Sequence, residues 1–306
     1  MGECAKMPAK AVESLKTLAW QAYRVADGLR AVSNKGAVVR HILGRCSTSK
    51  CEYCLRNGLR LMVNNTRMDR TAIFSVQEIF NREIYHLQEC DHSQVIVDLG
   101  ANIGVFALYA SWRYPTAKIY AVEPDSDNAE QLQANVAING LQSRISVLRK
   151  AVSAKEGEVF LFRNPDSSRG HSLAHRLKCE PRITVSSVTL EQLFDSSGIE
   201  TCDFLKMDIE GAEYEVIYGC RPSFLKRIKV MAIEHHQFFP FDSLTAAHDR
   251  SRFNAESLGD FLTRNGFTVR KRGRDLLYAV REPIRQTQSV DASRWNRDVV
   301  PQTAEK

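Results

Sequence analysis

From residue 94 onward, short apolar runs alternate with stretches whose apolar positions recur every three or four residues. The runs fit buried strands and the spaced stretches fit amphipathic helices, so the alternation predicts βαβ units and a largely parallel sheet. Strands are expected at 95–99, 118–122, 145–148, 204–207 and 228–233, with helices near 105–112, 128–139 and 212–218. Residues 157–189 break this rhythm. They carry two strand-like pieces, 158–162 and 183–188, around the polar loop RNPDSSRGHSLAHRLKCEP. Further on, a helix over 258–265 stops at Gly266, and 267–270 with 276–280 reads as an antiparallel pair.

Upstream the pattern is helical. Leu15, Leu18, Ala19, Ala22, Val25 and Leu29 recur at helical spacing across 9–32, and a second helical stretch covers 38–43. Residues 59–63 read as a strand, NNTRMDR as a turn, and 73–87 as helical. The tail after Arg281 is polar and unpatterned, which predicts disorder. Three parts are therefore expected: a helical extension over 1–57, an α/β domain over 58–281, and a loose tail over 282–306.

Charge sharpens that division. Residues 1–57 hold ten Lys/Arg against four Asp/Glu, while the remaining 249 hold 32 of each sign. The excess of +6 lies wholly in the extension, as a solvated basic helix face or a contact for an acidic partner. No run approaches the length of a membrane span, and the N-terminus has no apolar leader, so a cytoplasmic protein is expected. Of the eight cysteines, Cys46, Cys51 and Cys54 cluster as C-x4-C-x2-C, with His41 just upstream. Free thiols, a tetrahedral metal site and a disulfide all remain open for this cluster.

The strongest chemical signal is VIVDLGANIGVFALYA, where a buried strand runs into a glycine loop and the loop into a helix. Gly100 permits a tight turn against a ligand, and Gly104 lets the first helical turn approach the strand. Asp98 sits where a pyrophosphate would be repelled but a sulfonium or an α-ammonium group would be attracted. Asn102 occupies the place of the second glycine of the dinucleotide pattern. Glu123 ends the next strand at the spacing of a carboxylate that accepts both ribose hydroxyls, and Pro124 turns the chain into the following helix. S-Adenosylmethionine is the expected cofactor, bound by Asp98, Gly100, Ala101, Asn102, Gly104, Glu123 and Pro124. Ala151 past the third strand and Asp208 past the fourth complete the set.

The runs DLGANIG, VEPDSDNAEQLQANVAING and FLKMDIEGAEYEVIYG, followed by IEHH, resemble the FkbM family of methyltransferases in content, order and spacing. The piece TRMDRTAIFSVQEIFNREIY is also similar to that family's lead-in. The likeness covers about residues 58–240 and, more weakly, extends to 281. It implies an α/β, Rossmann-like class I methyltransferase fold: a mostly parallel seven-stranded sheet with helices on both faces and a reversed hairpin at one edge. It also implies methyl transfer, usually to an oxygen of a sugar, polyketide or other small metabolite.

Ligands of open parallel sheets bind beyond the carboxyl ends of the strands. There the sequence places Asp208, Glu210 and Glu213 after the fourth strand, and Glu234, His235 and His236 after the fifth. His235 is the first candidate general base and Asp208 the second, with Glu210 as a further catalytic candidate. Strand alternation means that only one of His235 and His236 faces the site. The acceptor is expected to be a small molecule or glycan; RNA methylation and a catalytically silent scaffold are the competing readings. The loops 163–181 and 237–249 are expected to choose the acceptor.

Overall fold

The computed structural model describes residues 9–164, 170–173, 182–236 and 252–281, with side chains from Thr17 onward. Helix α1 (Ala9–Gly28) and the short helix α2 (Lys35–Ile42) lead into a hairpin of β1 (Lys50–Cys54) and β2 (Arg60–Asn64). The hairpin turn includes residue 57, so a boundary drawn there passes between two paired strands. His41 is buried, with Nδ1 2.7 Å from the Tyr53 hydroxyl and Nε2 3.1 Å from the Asn64 carbonyl oxygen. Cys51 and Cys54, three apart on β1, point to opposite faces. His41 and the three cysteines therefore do not converge on one point.

Beyond the hairpin, α3 (Ala72–Val76) continues as a π-helical turn over Gln77–Asn81 and then stops. Continuous helix was expected through residue 87. Instead Glu83 and His86 take left-handed backbone angles, which break the helix and turn Tyr85 inward. Helix α1 docks on this turn: Gln77 donates to the Asp27 carboxylate at 2.9 Å, and Arg24 pairs with Glu78.

The main sheet follows, with α4 (Val105–Arg113) and α5 (Ser126–Ile138) between β3 (Val95–Leu99), β4 (Lys118–Val122) and β5 (Ile145–Leu148). A side sheet of β6 (Ala151–Val152), β7 (Gly157–Phe162) and β8 (Arg182–Val188) comes next, and then α6 (Leu190–Ser196) under a Thr189–Gln192 capping box. The chain returns to the main sheet through β9 (Cys202–Met207), α7 (Glu213–Gly219), α8 (Pro222–Leu225) and β10 (Ile228–Glu234). It closes with α9 (Ala255–Arg264), β11 (Thr268–Arg272) and β12 (Leu276–Val280). The seven strands lie in the order β11-β12-β10-β9-β3-β4-β5. The five from β10 to β5 run parallel, and β12 is reversed between β10 and β11.

Alternation along the parallel strands fills two cores. Ile96, Ile119 and Phe204 face α4, α5 and the N-terminal hairpin, where Tyr53, Leu61 and Val63 are fully buried. Val97, Leu99 and Leu205 face the other way, toward α6, α7 and α9. The hairpin is tied to α5 by side chains as well. Asn135 accepts from the Met62 amide at 2.7 Å, and Asn139 accepts from the Arg60 amide at 2.8 Å. Among the described residues, no helix is long and apolar enough to cross a membrane. The tail 282–306 and the loop 237–249 lie outside the described residues, as does most of 163–181.

Candidate active site

A solvent-open cleft, spanning about 1000 Å³ when the adjoining solvent is included, lies at the carboxyl ends of β3, β4, β9 and β10. One wall is the glycine loop. Gly100 has φ +76°, and a Cβ placed on it would lie 1.8 Å from the Asp208 carbonyl oxygen, so only glycine fits. Gly104 has φ +92°, and its Cβ would meet Leu132 of α5 at 2.4 Å. The loop is held by backbone bonds from Gly100 and Ala101 to the Val122 carbonyl, both 3.0 Å. Asn102 also takes a left-handed conformation, and its amide donates to Glu123 Oε2 at 2.8 Å.

Glu123 is 5% exposed, and its Oε1 accepts the Asp125 amide at 3.0 Å. Burial pushes its carboxyl up to about 7, although both amide bonds favour the ionised form. Gly100, Ala101, Asn102, Glu123, Pro124, Ala151 and Asp208 all line the cleft. Asp98 and Gly104 stand behind its wall.

Asp98 corrects one expectation. It was expected to face a cationic ligand, but its side chain is fully buried and sits 3.1 Å from Lys206 Nζ. The strand register explains this: Asp98 of β3 lies opposite Lys206 of β9, so the two side chains share one face of the sheet. Lys206 is 3% exposed and donates to the carbonyls of Leu99 and Gly100 at 3.2 and 2.8 Å. Burial alone would lower its pKa, but the carboxylates of Asp98 and then Asp208 raise it above the ordinary lysine value. A charged amine thus holds the glycine loop from beneath, with Asp98 as its counter-ion.

The opposite wall carries the carboxylates. Asp208 and Glu210 line the cleft as expected, together with Glu234. The Tyr85 hydroxyl lies 3.0 Å from Asp208 Oδ2 and 2.9 Å from Glu234 Oε2. His235 does not join them. Its backbone amide bonds the Asp275 carbonyl, and its buried ring lies 3.4 Å from the Tyr214 hydroxyl, away from the cleft. The reason is alternation at the end of β10, which sends Glu234 and His236 to the cleft side and His235 to the far side.

His236 is fixed by the buried Glu213, whose Oε1 is 2.9 Å from Nδ1, while Nε2 lies 3.5 Å from Glu210 Oε2. Burial works against its charge, but Glu213, Glu210 and Asp208 together push its pKa up to about 10. It is a cation at neutral pH and not a base. Asp208, Glu234 and His236 each offer a ligand atom within 4.8 Å of the others. Tyr85 bonds Asp208 Oδ2 and Glu234, and Glu213 holds His236, while Asp208 Oδ1 is buried without a hydrogen-bond partner.

Tyr85 and Lys206 were not singled out from the sequence, while Glu234 and His236 were placed at the strand end without a role. One signal was present for Lys206, a lone lysine inside the apolar run FLKM.

A parallel sheet of this strand order, with a reversed strand near one edge and a glycine turn after its central strand, defines a Rossmann-like methyltransferase. Residues 98–269, more than half of the 306, match the methyltransferase FkbM domain, and the chain belongs to that family. Methyltransferase sdnD of Sordaria araneosa is 29% identical over 192 residues, covering 53% of this chain and 74% of that protein. Hexuronic acid methyltransferase AglP of Haloferax volcanii is 26% identical over 150 residues, 49% of this chain and 59% of that one. The 31-O-demethyl-FK506 methyltransferase FkbM of Streptomyces tacrolimicus is 25% identical over 194 residues, 54% and 75% respectively.

Proposed function

We propose that this chain is an S-adenosylmethionine-dependent O-methyltransferase acting on a hydroxyl of a sugar, glycolipid or other small metabolite. The observation that carries the reading is the division of labour within one cleft. The glycine loop and Glu123 stand on one side, and the carboxylates of Asp208 and Glu234 on the other. S-Adenosylmethionine supplies an electrophilic methyl group on a sulfonium centre.

The residues divide the remaining work. Glu123 accepts the ribose hydroxyls, and the backbone of Gly100 to Asn102 lies against the cofactor in a turn that is possible only because Gly100 packs on the Asp208 carbonyl without a Cβ. Lys206 keeps that loop in place. Asp208 gives the far wall the negative charge that a sulfonium favours. Alignment supplies most of the acceleration of an in-line displacement, and Asp208 accepts the hydroxyl proton as the new C–O bond forms. The relatives support an oxygen acceptor, since hexuronic acid and 31-O-demethyl-FK506 stand in two of their names.

The test is a screen of sugars, glycolipids, small phenols and RNA with S-adenosylmethionine, scored by product mass. A product heavier by one methylene on a hydroxyl is expected. Methylation of RNA alone, or of none of these classes, would contradict the reading.

A further inference from the structure

Tyr85 ends the lead-in segment, is 6% exposed, and sets its hydroxyl between Asp208 Oδ2 at 3.0 Å and Glu234 Oε2 at 2.9 Å. A phenol carries one proton, so it can donate to one of these oxygens and must accept from the other. Two ionised carboxylates would leave one oxygen facing a lone pair. A single further proton on the pair removes the conflict.

The surroundings decide which end holds it. Both neighbouring cations lie toward Asp208: Lys206 Nζ is 3.9 Å from Oδ2, and His236 Nε2 is 3.9 Å from Oδ1. Glu234 is the poorer place for a charge, because burial and then the charge of Asp208 push its carboxyl up to about 8. The other acids nearby have cations of their own. Glu210 and Glu213 face His236, Asp98 faces Lys206, and Glu78, which acts on Tyr85 through its charge, pairs with Arg24.

We propose that Glu234, Tyr85 and Asp208 form a hydrogen-bonded chain that holds one proton. Glu234 is the standing acid and donates to the Tyr85 oxygen. Tyr85 donates to Asp208, which stays ionised to receive the proton of the acceptor hydroxyl. This inference rests on the reading of the cleft as a site of methyl transfer. In the transfer itself, a lone pair of the acceptor oxygen forms the C–O bond and the C–S pair stays on sulfur. The hydroxyl proton passes to Asp208 and then to solvent. Tyr85 and Glu234 act as positioning residues, through Asp208.

The experiment compares full-length wild type, Glu234→Gln, Tyr85→Phe and Asp208→Asn by S-adenosylhomocysteine calorimetry, kcat against pH, and infrared difference spectroscopy. A glutamine amide in place of Glu234 can donate to Tyr85 as a protonated carboxyl does, so Glu234→Gln should keep kcat within about threefold. Asp208→Asn should lose on the order of 10²-fold or more in kcat, while affinity for S-adenosylhomocysteine, which carries no sulfonium charge, stays within a few-fold. Tyr85→Phe removes a donor from an ionised carboxylate, so the acid limb of its pH–rate profile should move up by about one to two pH units.

A Glu234→Gln loss as deep as that of Asp208→Asn would overturn the chain in favour of Glu234 as base or of a shared metal. An unshifted profile in Tyr85→Phe would also overturn it. The infrared readout is independent of turnover. The wild-type minus Glu234→Gln difference spectrum at neutral pH should contain the carbonyl stretch of one protonated carboxyl, since any contribution of Glu123 is common to both and cancels. If it is seen without methyl transfer, the proton chain stands and the functional reading falls. If it is missing, the chain is wrong whatever the activity.

Discussion

At the residue scale, Lys206 and Asp98 are a buried pair whose geometry fixes the glycine loop. Removing one member strands the other without a partner. Lys206→Met should therefore cost about 3–5 kcal/mol of stability, read from urea unfolding. Glu123→Ala should weaken cofactor binding by about 1–3 kcal/mol, because the ribose hydroxyls lose buried partners. His235 faces away from the cleft, so His235→Gln should keep kcat within a few-fold at every pH; a 10²-fold loss would return it to the reaction.

His236 carries a linkage consequence. Its folded pKa, about 10, lies above the ordinary imidazole value. The stability it contributes is fully present below that ordinary value and is lost as pH rises through about 10. The stability gap between wild type and His236→Gln should accordingly shrink between pH 7 and 10. A constant gap would mean that the imidazolium is not what Glu213 stabilises.

At the element scale, the central parallel strands were legible because they are buried on both faces and read as near-continuous apolar runs. The glycine loop was legible because its backbone angles and close approaches demand glycine. Strand β1 was not: KCEYC mixes charge with cysteines, and its pairing partner is set by tertiary contact. The choice between His235 and His236 was hidden for a related reason. Alternation says that they diverge, but only the pleat of the folded strand says which one meets Asp208. Tyr85 was hidden because two left-handed residues end a helix that periodicity alone would continue.

The hairpin also sets how the chain should behave on truncation. Removing residues 1–57 deletes β1 and uncovers Leu61 and Val63, both fully buried. We expect a chain starting at residue 58 to be insoluble or to melt well below wild type in a thermal scan. Cooperative unfolding at the wild-type temperature would show that the extension is an appendage.

At the scale of the whole molecule, the basic excess of the N-terminal segment is partly spent within the fold. Arg24 pairs with Glu78 and lies over Phe74. These contacts bind α1 to the lead-in that positions Tyr85, so the extension supports the cleft through packing. The overall architecture was legible from the alternation of strands and helices. The wall opposite the glycine loop was not, because it is assembled from a lead-in tyrosine and two distant strand ends.

The measurement that tests the central claim most directly is calorimetric titration of the purified chain with S-adenosylmethionine, S-adenosylhomocysteine and NAD. Saturable binding of the first two at one site per chain, weakened by Glu123→Ala and absent for NAD, is expected. Binding of NAD, with none for the two sulfur nucleosides, would contradict the account.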